Sequence, residues 1–345
     1  MLDHLSISDA PLYFIVNSAS GRQASSATEQ AIDSAMRSAG RDYRIFVVEN
    51  TNGLKAIVRQ AVDAAKENSG VAVAVGGDGT INAVATAALA SRCLFGAVPQ
   101  GTFNYFGRTH GIPEDIESAL SDLLHGQPVA VQVGLVNDRI FLVNASVGLY
   151  PELLEDREVF KQRYGRSRLV AVWSALVTAL GDHRYLDMTL DQDGKRIYLR
   201  TTTLFIGNNR LQLEQVGIEQ AESLKHGQLA AIAVNPVGTM PLLWLAARGA
   251  LGKLGNAEHV TGFSFHTLTV VPRGLFRSKS VARRAERPVT VEHSRRRRIK
   301  VAVDGEIIWL QSPLEFRVAP EPLMLVKRAQ EVESDGSHRM QGVAA

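Results

Sequence analysis

The sequence predicts an α/β domain with a doubly wound parallel sheet, followed by an all-β, antiparallel domain. Three observations carry this prediction. The apolar run Val71-Ala-Val-Ala-Val75 leads into Gly76-Gly-Asp-Gly-Thr80 and then an Ala-rich stretch. That is the pattern of a strand buried on both faces, a turn and a packed helix. Strand-like and helix-like segments alternate up to about His125, which implies right-handed crossovers and a parallel sheet. After Gly126-Gln-Pro128 the texture changes to closely spaced strand-like runs with turn dipeptides such as Asp193-Gly194 and Asp304-Gly305, the signature of antiparallel pairing.

The elements follow in order. Residues 12–16 read as a strand ending in Asn17-Ser-Ala-Ser-Gly21-Arg22, small polar residues that suit a nucleotide pocket or an ordinary loop. Residues 24–39 and 53–68 read as helices, and 43–48 and 95–98 as strands. Asn17, Thr51, Gly76, Gly77, Asp78, Gly79, Thr80, Gly101 and Thr102 all follow strands, so they can converge at the carboxyl ends of a sheet, where such sheets bind ligands. Gly76, Gly77 and Gly79 admit close approach of an anion, because no Cβ intervenes. The helix N-terminus beyond them offers free N–H groups and a favourable dipole, together a phosphate site. Asp78 beside phosphate is repulsive unless bridged, which points to a Mg-nucleotide, with Asp78 on the metal, on a metal-bound water or on a nucleotide hydroxyl. A Walker A loop would need a Lys after the glycines, and a dinucleotide fingerprint a Gly where Asn82 stands. In Pro99-Gln-Gly-Thr-Phe-Asn104, Pro99 stops the strand, Gly101 turns the chain, and Thr102 and Asn104 offer a hydroxyl and an amide. Pro113 is expected in the first turn of a helix running to about His125.

Beyond Gln127, strands are expected over residues 129–136, 139–144, 186–190, 196–206, 228–234, 263–271, 289–292, 298–303, 307–310 and 314–318. Two helical segments, 169–180 with Trp173 and 242–254 with Trp244, are expected to pack as core. The alternative is that either dips into a bilayer surface. Arg295 to Arg298 reads as a solvated strand edge or a contact for anionic lipid.

The 345 residues and 45% hydrophobic content suit two globular domains, 1–127 and 128–328, with a polar tail, 329–345, expected to be disordered. A net charge of +3 makes any basic patch local. The one cysteine, Cys93, fits a reducing cytosol. Residues 1–10 lack the apolar core of a signal peptide, and no apolar run approaches the roughly 20 residues of a span. A cytoplasmic protein, soluble or peripheral at the inner face of the membrane, is the expectation. The basic run lacks interleaved aromatics, so nucleic acid is not an expected partner. The oligomeric state has no signature in the sequence.

Gly76-Gly-Asp-Gly-Thr80 resembles the nucleotide loop shared by diacylglycerol and sphingosine kinases, NAD kinases and phosphofructokinases. Followed by Pro99-x-Gly-Thr-x-Asn104, it resembles that of the bacterial diacylglycerol kinase-like lipid kinases. Asn17-Ser-Ala-Ser-Gly21, Asn144-Ala-Ser-Val-Gly148 and Val303-Asp-Gly-Glu306 resemble three further motifs of that family, in the same order. The resemblance implies a nucleotide domain followed by a β-sandwich, with the active site in the cleft between. It implies ATP and Mg2+, with the phosphates on Gly76, Gly77, Asp78, Gly79 and Thr80. Thr51 and Thr102 would be further ATP contacts and Asp78 the metal residue. Glu306 would be the base for a lipid hydroxyl, a diacylglycerol or sphingoid-like substrate met at the membrane surface. This sequence departs from the family at Tyr105, where an Asp is usual. It also departs after Asn208-Asn-Arg210, where a Gly-rich stretch is usual, and at His226-Gly227, where an Asp-Gly turn helps hold a structural metal. No second metal site is therefore expected. The alternatives are a kinase of a soluble hydroxyl substrate such as NAD, and an inactive nucleotide-binding regulator.

Overall fold

The structure is a computed structural model and describes residues 9–18, 22–50, 52–148, 151, 184–238, 241, 244–245, 248, 251–255, 257–277 and 297–328. Thr51, the predicted helix 169–180, the predicted strand 289–292, Arg295, Arg296 and the tail 329–345 lie outside these residues.

The first part alternates as predicted: β1 Leu12–Asn17, α1 Arg22–Ser38, β2 Tyr43–Val48, α2 Leu54–Glu67, β3 Val71–Gly76, α3 Asp78–Ser91 and β4 Leu94–Pro99. Strands β2, β1, β3 and β4 lie in that order and pair in parallel. β3 is buried at every position, which is why it reads as an unbroken apolar run, whereas the edge strand β2 alternates. The order reverses between β1 and β3, so a crevice opens at their carboxyl ends. Two short helices follow, α4 Tyr105–Thr109 and α5 Ile116–Leu124. α5 begins beyond Pro113 because the Asp115 carboxylate accepts the Ser118 N–H at 2.9 Å and caps the helix there.

The sheets do not divide the chain at Gln127. β5 Gln127–Val131 stays in the first sheet, paired antiparallel with β18 Leu323–Lys327, which in turn lies parallel to β4. The C-terminal strand thus completes the N-terminal sheet. Val131, Leu323, Leu325 and Val326 join the core of Phe14, Val73 and Phe95, each such burial contributing roughly 1.5–3 kcal/mol.

The remaining strands are β6 Gly134–Val136, β7 Arg139–Phe141, β8 Asn144–Gly148, β9 Arg184–Gln192, β10 Lys195–Thr201, β11 Thr203–Gly207, β12 Leu229–Val234, β13 Val260–Phe265, β14 Thr267–Arg277, β15 Arg298–Val303, β16 Glu306–Gln311 and β17 Leu314–Val318. They form two six-stranded antiparallel sheets, ordered β10-β9-β14-β17-β6-β7 and β13-β12-β11-β8-β15-β16. Leu186, Leu268 and Phe316 of one and Val147, Ile206, Phe265 and Val301 of the other share a single buried core.

Three predicted strands, 129–136, 196–206 and 263–271, are each two strands in different sheets. The residues between the paired strands, Gln132-Val133, Thr202 and His266, include no Gly or Pro to mark the change of sheet. At one such point the buried Thr201 hydroxyl donates to the carbonyls of Thr203 and Val234, and the Thr202 N–H donates to Val234. Gly148 is required beside it: φ is +106°, and a Cβ would stand 2.4 Å from the Thr202 carbonyl oxygen. Within the segment 242–254, expected as core, Leu245 is buried but Trp244 and Leu251 are exposed.

Candidate active site

The crevice at the carboxyl ends of β1, β3 and β4 gathers most of the residues the sequence singled out. Asn17 ends β1, and its side-chain amide donates to Thr80 Oγ1 at 2.8 Å, joining the first loop to α3. Gly77 caps α3, so Asp78, Gly79 and Thr80 form the first turn of the helix, three residues earlier than the apolar pattern indicates. First-turn amides have no acceptor within their own helix. Gly79 is exposed, so the approach to this turn is open.

The two glycine loops touch. A Cβ on Gly101 would lie 2.9 Å from Gly77 Cα and 2.8 Å from Asn104 Oδ1. Only glycine allows that approach. Asn104 is buried in the left-handed region, φ +48°, and its Oδ1 accepts the Gly101 N–H at 2.7 Å. That oxygen closes the loop and is committed to it. Thr102 is exposed. Phe103 and Tyr105 stack with their planes 6° apart, so Tyr105 supplies an aromatic face at the position of the missing acid.

Asp78 lies between the two loops. Burial pushes its pKa up, against the backbone amides of Phe106, Asn104 and Tyr105, which face the carboxylate and pull the other way. Its Oδ1 is buried without a hydrogen-bond partner, an acceptor open to an incoming group.

The antiparallel sheets contribute the β15–β16 turn. Glu306, exposed, opens β16 and brings Oε1 to 3.4 Å from where a Gly79 Cβ would stand. A carboxylate from one end of the chain therefore overhangs the helix turn built near the other.

Asp304 holds that turn in place. Its carboxylate accepts the N–H groups of Leu142, Val143 and Asn144 at 2.7, 2.9 and 2.9 Å, and the Asn82 side-chain amide at 2.6 Å. Burial raises its pKa and these bonds oppose the rise. Asp304 was expected as half of a turn dipeptide and as part of the Val303-Asp-Gly-Glu306 resemblance, with no role of its own, and Asn82 only as a departure from a fingerprint. The spacing Asp78–Asn82, one helical turn, is the signal that puts both on one face of α3.

The second contact across the cleft is made by Asn209. It caps α6 (Arg210–Gln215), accepting the Gln212 N–H at 2.9 Å and donating to the Tyr105 carbonyl at 3.2 Å. A helix thus stands where the sequence departs from a Gly-rich stretch. His226-Gly227 ends a 3-10 helix, Glu219–His226. Among the described residues no group of three or more His, Cys, Asp or Glu side chains is placed to hold a metal ion.

Residues 11–136 match the diacylglycerol kinase catalytic domain. The chain is 40% identical over 93 residues to a probable lipid kinase YegS-like of Klebsiella pneumoniae (strain 342), covering 26% of this chain and 31% of that protein. It is 41% identical over 91 residues to a diacylglycerol kinase of Staphylococcus aureus (strain JH9), covering 26% and 29%. The chain thus spans less than a third of the length of these curated relatives. A crystal structure of a diacylglycerol kinase from Bacillus anthracis str. Sterne superposes with a TM-score of 0.62 at 17% identity, covering 92% of this chain and 97% of that one. A further crystal structure from that organism gives 0.65 at 16%. At such identities the likeness is one of fold, mixed α/β with several sheets. The resemblance carried by the two glycine loops is borne out over residues 11–136. No helix among the described residues is long and apolar enough to cross a membrane.

Proposed function

We propose that the protein is an ATP-dependent lipid kinase, passing the γ-phosphoryl group of ATP to a hydroxyl of a diacylglycerol- or sphingoid-like lipid. The observation that carries this is the Glu306 carboxylate overhanging Gly79, in the first turn of α3, from the far side of a cleft. In this reading the paired antiparallel sheets are a substrate-binding sandwich, and relatives named as lipid and diacylglycerol kinases support the substrate class.

The chemistry follows from the residues. The first-turn amides of α3 and the touching glycines receive the phosphates, with Asn17 holding Thr80 in register. Thr102, exposed on the second loop, and Thr51 complete the nucleotide contacts. Asp78 Oδ1 suits Mg2+, which is usually held by one or two carboxylates together with the substrate's own phosphates. The metal would neutralise charge on those phosphates. The lipid oxygen attacks the γ-phosphorus, its proton passes to Glu306, and the bond to the ADP oxygen breaks. Transfer of this kind depends on positioning and charge stabilisation, which is what the Asp304 anchor supplies to Glu306.

Incubation of the purified protein with labelled ATP and a panel of lipids, followed by separation of products, tests the proposal. A labelled phospholipid is expected, and its absence alongside a labelled soluble acceptor such as NAD would overturn it.

A further inference from the structure

The turn that carries Glu306 belongs to a hairpin whose outer face has a composition of its own. Val301, Val303, Ile308 and Leu310 point into the core between the two antiparallel sheets. Side chains alternate along a strand, so Arg298, Lys300, Ile307 and Trp309 point outward. Trp309 is 53% exposed. Lys300 is its direct cross-strand partner. The Lys300 ammonium lies 5.5 Å and the Arg298 guanidinium 5.9 Å from the Trp309 ring centroid. Arg297, exposed, immediately precedes β15.

A basic sheet edge is ordinarily protection against strand pairing, but that device puts the charge on the edge strand itself. Here the edge strand is β16, which carries Ile307, Ile308, Trp309 and Leu310 and a single charge, Glu306, at the turn. The cations stand on its inner neighbour, β15. The outer face of the edge strand is thus left with Ile307 and Trp309, flanked by positive charge on its inner neighbour. An indole flanked by Lys and Arg is the composition of a membrane–water interface, where the ring sits at headgroup level and the cations meet anionic lipid. A second copy of the chain is a poorer occupant. Antiparallel pairing of two β16 edges would bring both sets of cations onto one face of a continuous sheet.

We propose that the outer face of the β15–β16 hairpin, with Trp309 at its centre and Arg298 and Lys300 beside it, docks on an anionic lipid surface. The inference rests on the lipid-kinase reading and gives it a direction. Trp309 lies three residues along β16 from Glu306, on the order of 10 Å at strand rise. The odd spacing puts the two side chains on opposite faces of the strand, so docking through Trp309 brings the turn close to the lipid surface while Glu306 faces Gly79 of α3.

The test is flotation of the full-length protein with phosphatidylcholine vesicles containing increasing phosphatidylglycerol, at low and physiological salt. Binding should rise with phosphatidylglycerol and fall with salt. Trp309→Ala, and Arg298→Gln combined with Lys300→Gln, should each lower the bound fraction about tenfold. Trp309→Phe should keep most of it, and Arg59→Gln, an exposed cation on α2, should change nothing. Thermal melts matching the parent's exclude misfolding. Turnover on a detergent-dispersed acceptor, run in parallel, should survive in the hairpin variants while turnover on vesicles falls. No vesicle binding by the parent, or equal binding by the variants, overturns the docking face even if a lipid is phosphorylated. Variant-sensitive binding with no lipid product in any format leaves the face standing and removes the kinase reading. A solution dimer that Trp309→Ala disperses, without vesicle binding, assigns the edge to a second copy and also overturns the proposal.

Discussion

Asn82 Nδ2 donates to Asp304 Oδ2 over 2.6 Å, joining residues 222 positions apart. The same carboxylate holds three backbone amides of residues 142–144. One side chain therefore fixes the turn that carries Glu306 both to its own sheet and to the helix that begins the glycine site. In the proposed reaction Asp304 is a positioning residue, which sets where Glu306 stands through these four bonds.

Asp304→Ala leaves three amides without their acceptor, at a cost of roughly 3 kcal/mol or more. The melting temperature should fall by about 5–10 °C. Asn82→Ala removes a single bond, so melting should change little while turnover on lipid falls. Melts and steady-state kinetics on both variants check this. Unchanged kinetics in Asn82→Ala would make the contact purely structural.

Asp78 predicts a pH effect of definite sign. Burial raises its pKa above the ordinary 3.8, so the fold favours the neutral acid. Its contribution to stability is fully present below about pH 3.8, is lost as the pH rises through the folded value, and is a cost at neutral pH. Asp78→Asn should therefore melt above the parent at pH 7. The advantage should shrink as the pH falls through the raised folded value and be gone below about 3.8. Turnover should drop at the same time. A variant less stable than the parent at pH 7 would contradict the account.

The two loop glycines should differ in tolerance. A methyl at Gly77 would sit 3.4 Å from Gly101 Cα, whereas one at Gly101 would sit 2.9 Å from Gly77 Cα and 2.8 Å from Asn104 Oδ1. Gly101→Ala must push the loops apart, and Gly77→Ala need not. Titration calorimetry should record about a tenfold or greater loss of Mg-ATP affinity in the first and a smaller loss in the second, since tightly bound anion sites lose affinity steeply with misplacement. Gly77→Val, with branched bulk, should resemble Gly101→Ala.

Glu306→Gln keeps size and hydrogen bonding but accepts no proton. Turnover should fall by about 10²–10⁴-fold, the usual share of a general base, with ATP affinity nearly unchanged. Turnover within a few-fold of the parent would reduce Glu306 to a turn residue.

The alternation of β1 through β4 with their helices was legible because each element writes its own period into consecutive residues. The glycine loops were legible because local backbone demands select residue type locally. Glu306 was marked only by a motif. The contact that gives it an address, Asn82–Asp304, has no local signature, because neither residue's neighbours differ from those of a plain helix and a plain turn. For Asn104 the sequence offered an amide but not its division: the oxygen accepts the Gly101 N–H, and the Nδ2 donor is a separate group.

By itself the sequence determined a doubly wound parallel sheet, an antiparallel continuation beyond it, and a pair of glycine loops at the carboxyl ends of its strands. Tertiary structure alone decided that β18 returns to finish the first sheet. It decided where runs such as 196–206 break between sheets, and that Asp304 and Glu306 meet the first turns of α3. The reason is physical. Periodicity and turn chemistry act between near neighbours, whereas sheet membership and a shared carboxylate are settled by hydrogen bonds between segments whose own patterns are satisfied equally well by other partners.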